Sequence, residues 1–185
     1  GFSFQHDGPL HMTFGNPEDY LFTAADIVNE WEEENIADVL YGYADERFSR
    51  RIAKGIVEAR KSGPIKTTFE LVKVIEDSLP KVVLRKRLHP ATKTFQALRI
   101  AVNDELTVLQ QFIKDGFASL APGGRLAIIT FHSIEDRVVK HSFRELAQGD
   151  NAELITKKPI SPSEEELNAN PRARSAKLRI IKKVQ

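Results

Sequence analysis

Apolar residues recur at helical spacing through the first two thirds of this chain, and the pattern then changes. Ile27, Val28 and Trp31, then Ile36, Val39, Leu40 and Tyr43, then Phe48, Ile52, Ile56 and Val57, then Leu71, Val74, Ile75 and Leu79 mark four helical stripes. Thr23-Ala-Ala-Asp26 and Thr67-Thr-Phe-Glu70 have the spacing of helix-start capping boxes, while Gly63-Pro64 and Pro80 are stops. Four helices with no strand between them predict a compact helical subdomain over 23–80. After His89-Pro90 a long helical pattern runs from Phe95 to Phe117.

The change comes at Ser119–Ser133. Pro122-Gly123-Gly124 turns the chain, and the apolar block Leu126–Phe131 follows. A glycine-bounded run of this length predicts a strand buried on both faces. A helix feeding a parallel strand in this way is α/β organisation. The strand would deliver Phe131, His132 and Ser133 to its carboxyl end, where ligands sit in open α/β sheets. Ser133-Ile-Glu-Asp136 predicts that Ser133 caps the next helix, with Ile134, Val138, Val139, Phe143 and Leu146 as its stripe. A short strand at Leu154–Thr156, a short helix at Glu164–Leu167 and a last strand at Leu178–Val184 complete the reading.

Residues 1–22 are punctuated by Gly8-Pro9, Gly15 and Asn16-Pro17 and read as loop, although they carry eight large apolar side chains. Such a loop is either stapled to a core or forms an aromatic lip beside a ligand. The chain opens on Gly1-Phe2-Ser3-Phe4, with no initiator methionine, and reads as cut from something longer.

Composition narrows the class. At 185 residues with 41% hydrophobic content the chain can bury a substantial core, and it has no cysteine for disulfides or thiolate metal sites. No apolar run approaches the roughly 18 residues of a membrane span, and no signal peptide opens the chain. A net charge of +1 hides an asymmetry: residues 1–46 contain no Lys or Arg and eleven acids, so the rest holds all 27 basic residues against fifteen acids. Residues 81–103 carry Lys81, Arg85, Lys86, Arg87, Lys93 and Arg99 with no acid. That patch suits phosphate contacts.

No catalytic motif is complete. There is no glycine-rich phosphate loop, and the five histidines have no zinc-type spacing. Adjacent His132 and Ser133 cannot easily pair as base and nucleophile. Ser133 and Asp136 can be explained by capping. His132, a polar ring directly after an apolar strand, reads as a site residue.

Long blocks of the sequence carry a resemblance: GFSF (Gly1–Phe4), DGPL (Asp7–Leu10), TAADIVNEW (Thr23–Trp31), ERFSRRIA (Glu46–Ala53), HPATKTFQALRIAVNDEL (His89–Leu106), LAPGGRLAIITFHSIEDR (Leu120–Arg137) and KPISPSEEELNANPRARSAKLR (Lys158–Arg179). Together they resemble the bacterial 16S rRNA cytosine-N4 methyltransferases of the RsmH/MraW family, over essentially the whole chain. The resemblance implies an incomplete class I, Rossmann-like methyltransferase core with an inserted all-helical subdomain. Residues 1–22 would be a loop of the core, 23–90 the insertion and 91–185 the C-terminal part of the core. It implies S-adenosylmethionine as methyl donor, with the main cofactor motifs expected before Gly1 and no cofactor-binding residue assignable in this chain. The chain alone is expected to be inactive and to bind the donor poorly.

The implied partner is 16S rRNA or the small ribosomal subunit, in the cytoplasm and with no membrane; the oligomeric state stays open, a dimer included. His132 and Ser133 are the candidate catalytic residues. Phe2 and Phe4 are candidate walls for the target base, and Lys81, Arg85, Lys86, Arg87, Arg172 and Arg174 candidate phosphate contacts. The family usually reads DGPLDMRM, whereas His11 and Thr13 stand here at the Asp and Arg positions. A non-catalytic RNA-binding module is the alternative reading.

Overall fold

The computed structural model describes residues 1–85 and 88–185. Nine α-helices, two 3-10 turns and three strands are found among them, in two compact units, Gly1–Asp104 and Glu105–Gln185.

The first unit is helical. Helix α1 (Ala24–Glu30) starts as the sequence predicts: the Thr23 side chain accepts from the Asp26 N–H while Asp26 accepts from the Thr23 N–H. Helices α2 (Glu33–Ala44) and α3 (Ser49–Arg60) follow, then α4 (Thr68–Ser78), whose capping box pairs Thr67 and Glu70. A single turn, α5 (Lys81–Leu84), precedes α6 (Thr92–Asn103). Helix α2 packs on α3 and α6, and α3 on α4. Ile36, Leu40, Ile52, Ile56, Leu71, Ile75 and Leu98 are fully enclosed in the resulting core. Each such side chain contributes roughly 1.5–3 kcal/mol of burial. Replacing Thr67 by alanine should cost about 1 kcal/mol, read as a lower denaturant midpoint.

The N-terminal loop is stapled to this core at Leu10 and Met12, which are 0% and 1% exposed. Its backbone is tied down on both sides. The Ala25 N–H donates to Leu10 O at 2.7 Å, and the Thr68 N–H to Gly8 O at 2.9 Å. Asn103 fixes the next turn, accepting from Phe14 N–H and donating to the carbonyl of Met12, a residue at φ 57°. Thr13 donates its hydroxyl hydrogen to Gly15 O.

The helical pattern from Phe95 to Phe117 does not make one helix. It breaks at Asp104 (φ 47°) into α6 and α7 (Glu105–Ala118). Periodicity carries across such a break. The local signal was Asn103-Asp104, since short polar residues tolerate the left-handed conformation.

In the second unit, Gly123 adopts φ 83°, and a Cβ on Gly124 would lie 2.9 Å from Ala121 O, so the turn requires both glycines. It leads into β1 (Arg125–Thr130), then α8 (Ser133–Leu146), β2 (Ala152–Leu154), α9 (Glu164–Ala169) and β3 (Lys177–Lys183). The sheet order is β1-β3-β2, and both pairings are antiparallel. Helices α7 and α8 cover one face, closing a small core of Ile113, Phe117, Ile128, Val139, Phe143 and Ile181. Two expectations are corrected. Strand β1 is not buried on both faces: Ile128 and Thr130 are buried while Ala127 and Ile129 are exposed. Its pairing here is antiparallel rather than parallel. An unbroken apolar run shows that a strand can be covered twice; the tertiary neighbours decide whether it is.

Candidate functional site at the end of strand β1

The tip of β1 places Phe131, His132 and Ser133 between strand and helix. Phe131 is 55% exposed and Ser133 is exposed, whereas the His132 side chain is only 14% exposed. The reason is a capping arrangement one residue away from the expected one. His132, not Ser133, is the N-cap of α8. Its Nδ1 accepts the Glu135 N–H at 3.2 Å, and the Glu135 carboxylate accepts from the N–H groups of Phe131 (2.9 Å) and His132 (3.4 Å). Sequence favoured Ser133 because serine is a common cap and histidine is not. The capping box closes on Glu135, three residues after His132, and that spacing was visible.

A nitrogen that accepts a hydrogen bond carries no proton. In the neutral ring the proton of His132 therefore sits on Nε2. That atom is buried and has no hydrogen-bond partner among the described residues. It lies 3.2 Å from Glu135 Oε1, close but outside hydrogen-bonding geometry. Glu105, at the start of α7, brings a second carboxylate, and the ligand-type atoms of Glu105, His132 and Glu135 lie within 4.8 Å of one another. Sequence spacing gave no hint of this cluster, because α7 and α8 meet only in the fold. It is a poor fit to a metal ion while the cap is formed, since Nε2 then presents a hydrogen rather than a lone pair. Burial pushes the Glu135 carboxyl up, but the His132 ring and the two backbone N–H donors outweigh it and hold the group below its ordinary 4.5.

Asp136 does not cap α8 as the sequence suggested. It accepts Arg179 Nε at 2.7 Å and Nη2 at 3.0 Å, with Lys177 Nζ 3.5 Å away. Both Asp136 and Arg179 are 7% exposed. The pair ties α8 to β3 directly behind the tip.

The other candidate residues are distributed between the units. In the first, Phe2 stacks on Phe14 (5.4 Å between centroids), and Phe4 stacks on His89 at 4.5 Å with its other neighbour Phe95 edge-on. Lys81 and Arg85 are exposed on and just after α5. Lys86 and Arg87 lie outside the described residues. In the second unit, Arg172 and Arg174 are exposed on either side of buried Ala173, in a 3-10 turn at Pro171–Ser175. A cleft of about 480 Å³ lined by Thr107, Gln110, Lys114, Ser142 and Glu145 lies between α7 and α8 and does not include the tip residues. No described helix is long and apolar enough to cross a membrane.

Residues 1–184 match the model of the MraW methylase family. The chain belongs to that family. It is 52% identical, over all of its length, to a protein of Synechococcus elongatus named ribosomal RNA small subunit methyltransferase H, of which it covers 60%. Proteins of the same name from Synechocystis sp. and Brevibacillus brevis are 50% and 46% identical, and the chain covers 58% and 63% of them. It thus spans about three fifths of the length of these relatives.

Proposed function

We propose that this chain is part of an enzyme that methylates the exocyclic N4 of a cytidine in small-subunit ribosomal RNA. The observation that carries the reading is family membership along the whole chain, with relatives named as ribosomal RNA methyltransferases at about half identity. In this reading the fold is a class I, Rossmann-like core in which β1 is one core strand and β2 and β3 are its closing antiparallel pair. Residues 23–90 are the inserted helical subdomain. The substrate is 16S rRNA or the small ribosomal subunit, in the bacterial cytoplasm.

The methyl donor, S-adenosylmethionine, supplies an electrophilic methyl group. No residue of this chain is assigned to holding it. The described cavities, lined by Gln110, Lys114 and Glu145 in one unit and by Arg47, His89 and Lys93 in the other, have no glycine-lined cradle. This chain's own contribution is to seat the nucleotide. Methyl transfer to an aromatic amine needs the nitrogen held in line with the methyl, so positioning supplies much of the rate. The base must leave its stack. Exposed Phe131 offers an apolar face for it in the second unit. In the first unit, exposed Phe2 and the Phe4 ring stacked on His89 are candidate base contacts of their own. His132 fixes the tip and, with Ser133, orients the base. Lys81, Arg85, Arg172 and Arg174 hold phosphates.

The test is transfer of labelled methyl from S-adenosylmethionine to small ribosomal subunits by the full-length protein, with the modified base identified by mass spectrometry. N4-methylcytidine is the expected product. RNA binding without any transfer would instead establish a non-catalytic module. Neutralising Arg172 and Arg174 together should flatten the salt dependence of RNA binding by about 0.7 in log–log slope per lost phosphate contact. An unchanged slope would show that these arginines only solvate the surface.

A further inference from the structure

We infer that His132 works at the β1 tip as a fixed hydrogen-bond donor through Nε2, not as a proton acceptor, and that Glu135 is the positioning residue that makes it so. The inference rests on placing the substrate site at this tip. It also adds the polarity of the contact, which that placement leaves open.

Two contacts set that polarity. The Glu135 N–H donates to Nδ1 at 3.2 Å, which occupies the lone pair there and leaves Nε2 as the only protonated nitrogen of the neutral ring. The Glu135 carboxylate grips the backbone on the other side, accepting from Phe131 N–H and His132 N–H, so the ring is held by one residue at both ends of a closed loop. Proton uptake at Nδ1 would set two donors against each other and open the start of a 14-residue helix. A base needs a free lone pair, and the capped ring has none.

The donor itself is poorly satisfied: its close acceptor, Glu135 Oε1 at 3.2 Å, is misaligned. Nε2 is buried with no hydrogen-bond partner among the described residues, although the carboxylates of Glu105 and Glu135 crowd it. A buried donor that lacks a well-aligned acceptor is costly and gains when one arrives. The group it fits is an acceptor atom of a pyrimidine ring edge, the carbonyl oxygen or the unprotonated ring nitrogen, which takes the place of the Glu105 carboxylate while Glu135 keeps its hold on the backbone. It does not fit the amine that receives the methyl group. The proton released from the methylated nitrogen therefore leaves by another route than His132.

The experiment has two arms. In the full-length protein labelled with 15N-histidine, His132 is expected to show a protonated, pyrrole-type Nε2 and an unprotonated, pyridine-type Nδ1 at neutral pH. The Glu135→Ala variant should shift this towards a mixture of tautomers, and Glu135→Gln, whose amide oxygen can still accept from Phe131 N–H, should restore most of it. An Nδ1-protonated ring in the unmodified protein overturns the inference whatever the activity.

The second arm separates donor from cap. His132→Asn keeps a capping acceptor and removes Nε2. It should hold the melting temperature but lower methylation roughly ten- to a hundred-fold. His132→Gln can place an amide N–H near the Nε2 position but does not cap. It should melt roughly 2–4 °C lower and yet methylate several-fold faster than His132→Asn. If both variants methylate at the normal rate while the tautomer is as expected, the ring is a structural cap only, and the donor role falls together with the placement of the site.

Discussion

Replacing Asp136 with alanine is expected to destabilise the second unit by about 3–5 kcal/mol. The change leaves the Arg179 guanidinium, 7% exposed, without the carboxylate that accepts both its Nε and Nη2 hydrogens. A buried cation stripped of its partner is among the costlier single changes a small domain can suffer. The same pair makes a pH prediction. The Arg179 hydrogen bonds hold the Asp136 carboxyl below its ordinary 3.8 despite burial. A carboxyl lowered on folding stabilises at pH values above its unfolded pKa, and that contribution is lost as pH falls through the folded value. Acid unfolding below about pH 4 should therefore show a component that vanishes in Asp136→Ala. Urea unfolding at pH 7 and at pH 3 measures both effects. A midpoint at pH 7 that does not move in the variant would mean that the pair is not closed in solution.

Truncating Leu40 to alanine should cost about 2–5 kcal/mol. Leu40 is 0% exposed on α2, the helix packed against both α3 and α6, so few neighbours can move in to fill the space. The neighbouring residue, Tyr41, is 63% exposed, and Tyr41→Ala should change stability by no more than about 0.5 kcal/mol. Denaturant midpoints compare the two variants, and hydrogen exchange locates the damage, which is expected within residues 1–104. Equal effects at the two positions would show that α2 does not present the face assigned to it.

Much of this architecture was legible in the chain. Thr23 with Asp26 and Thr67 with Glu70 announced two helix starts that formed as read. The stripes through Leu40, Ile56 and Ile75 announced the core they built. Pro122-Gly123-Gly124 announced the turn into β1. The misreadings share one cause. At Asp104 the helical spacing of apolar residues continued across a break in the backbone. At Ala127 and Ile129 apolar character was present where cover was not. At the β1 tip the familiar capping residue, Ser133, stood beside the one that caps, His132.

Although it placed β2 two residues late and did not show α5, the sequence by itself therefore determined most of the helices and strands, several of their starts, and to which family the chain belongs. These are local properties, or properties of the whole string, and each follows from spacing and residue type. The tertiary structure decided the partners. It brought Arg179 to Asp136 across 43 positions, gathered Glu105 from another helix to His132 and Glu135, and set one nitrogen of the His132 ring at the cap while burying the other. Such outcomes depend on which surfaces of distant elements meet, and no one-dimensional pattern fixes which nitrogen of a histidine keeps its proton.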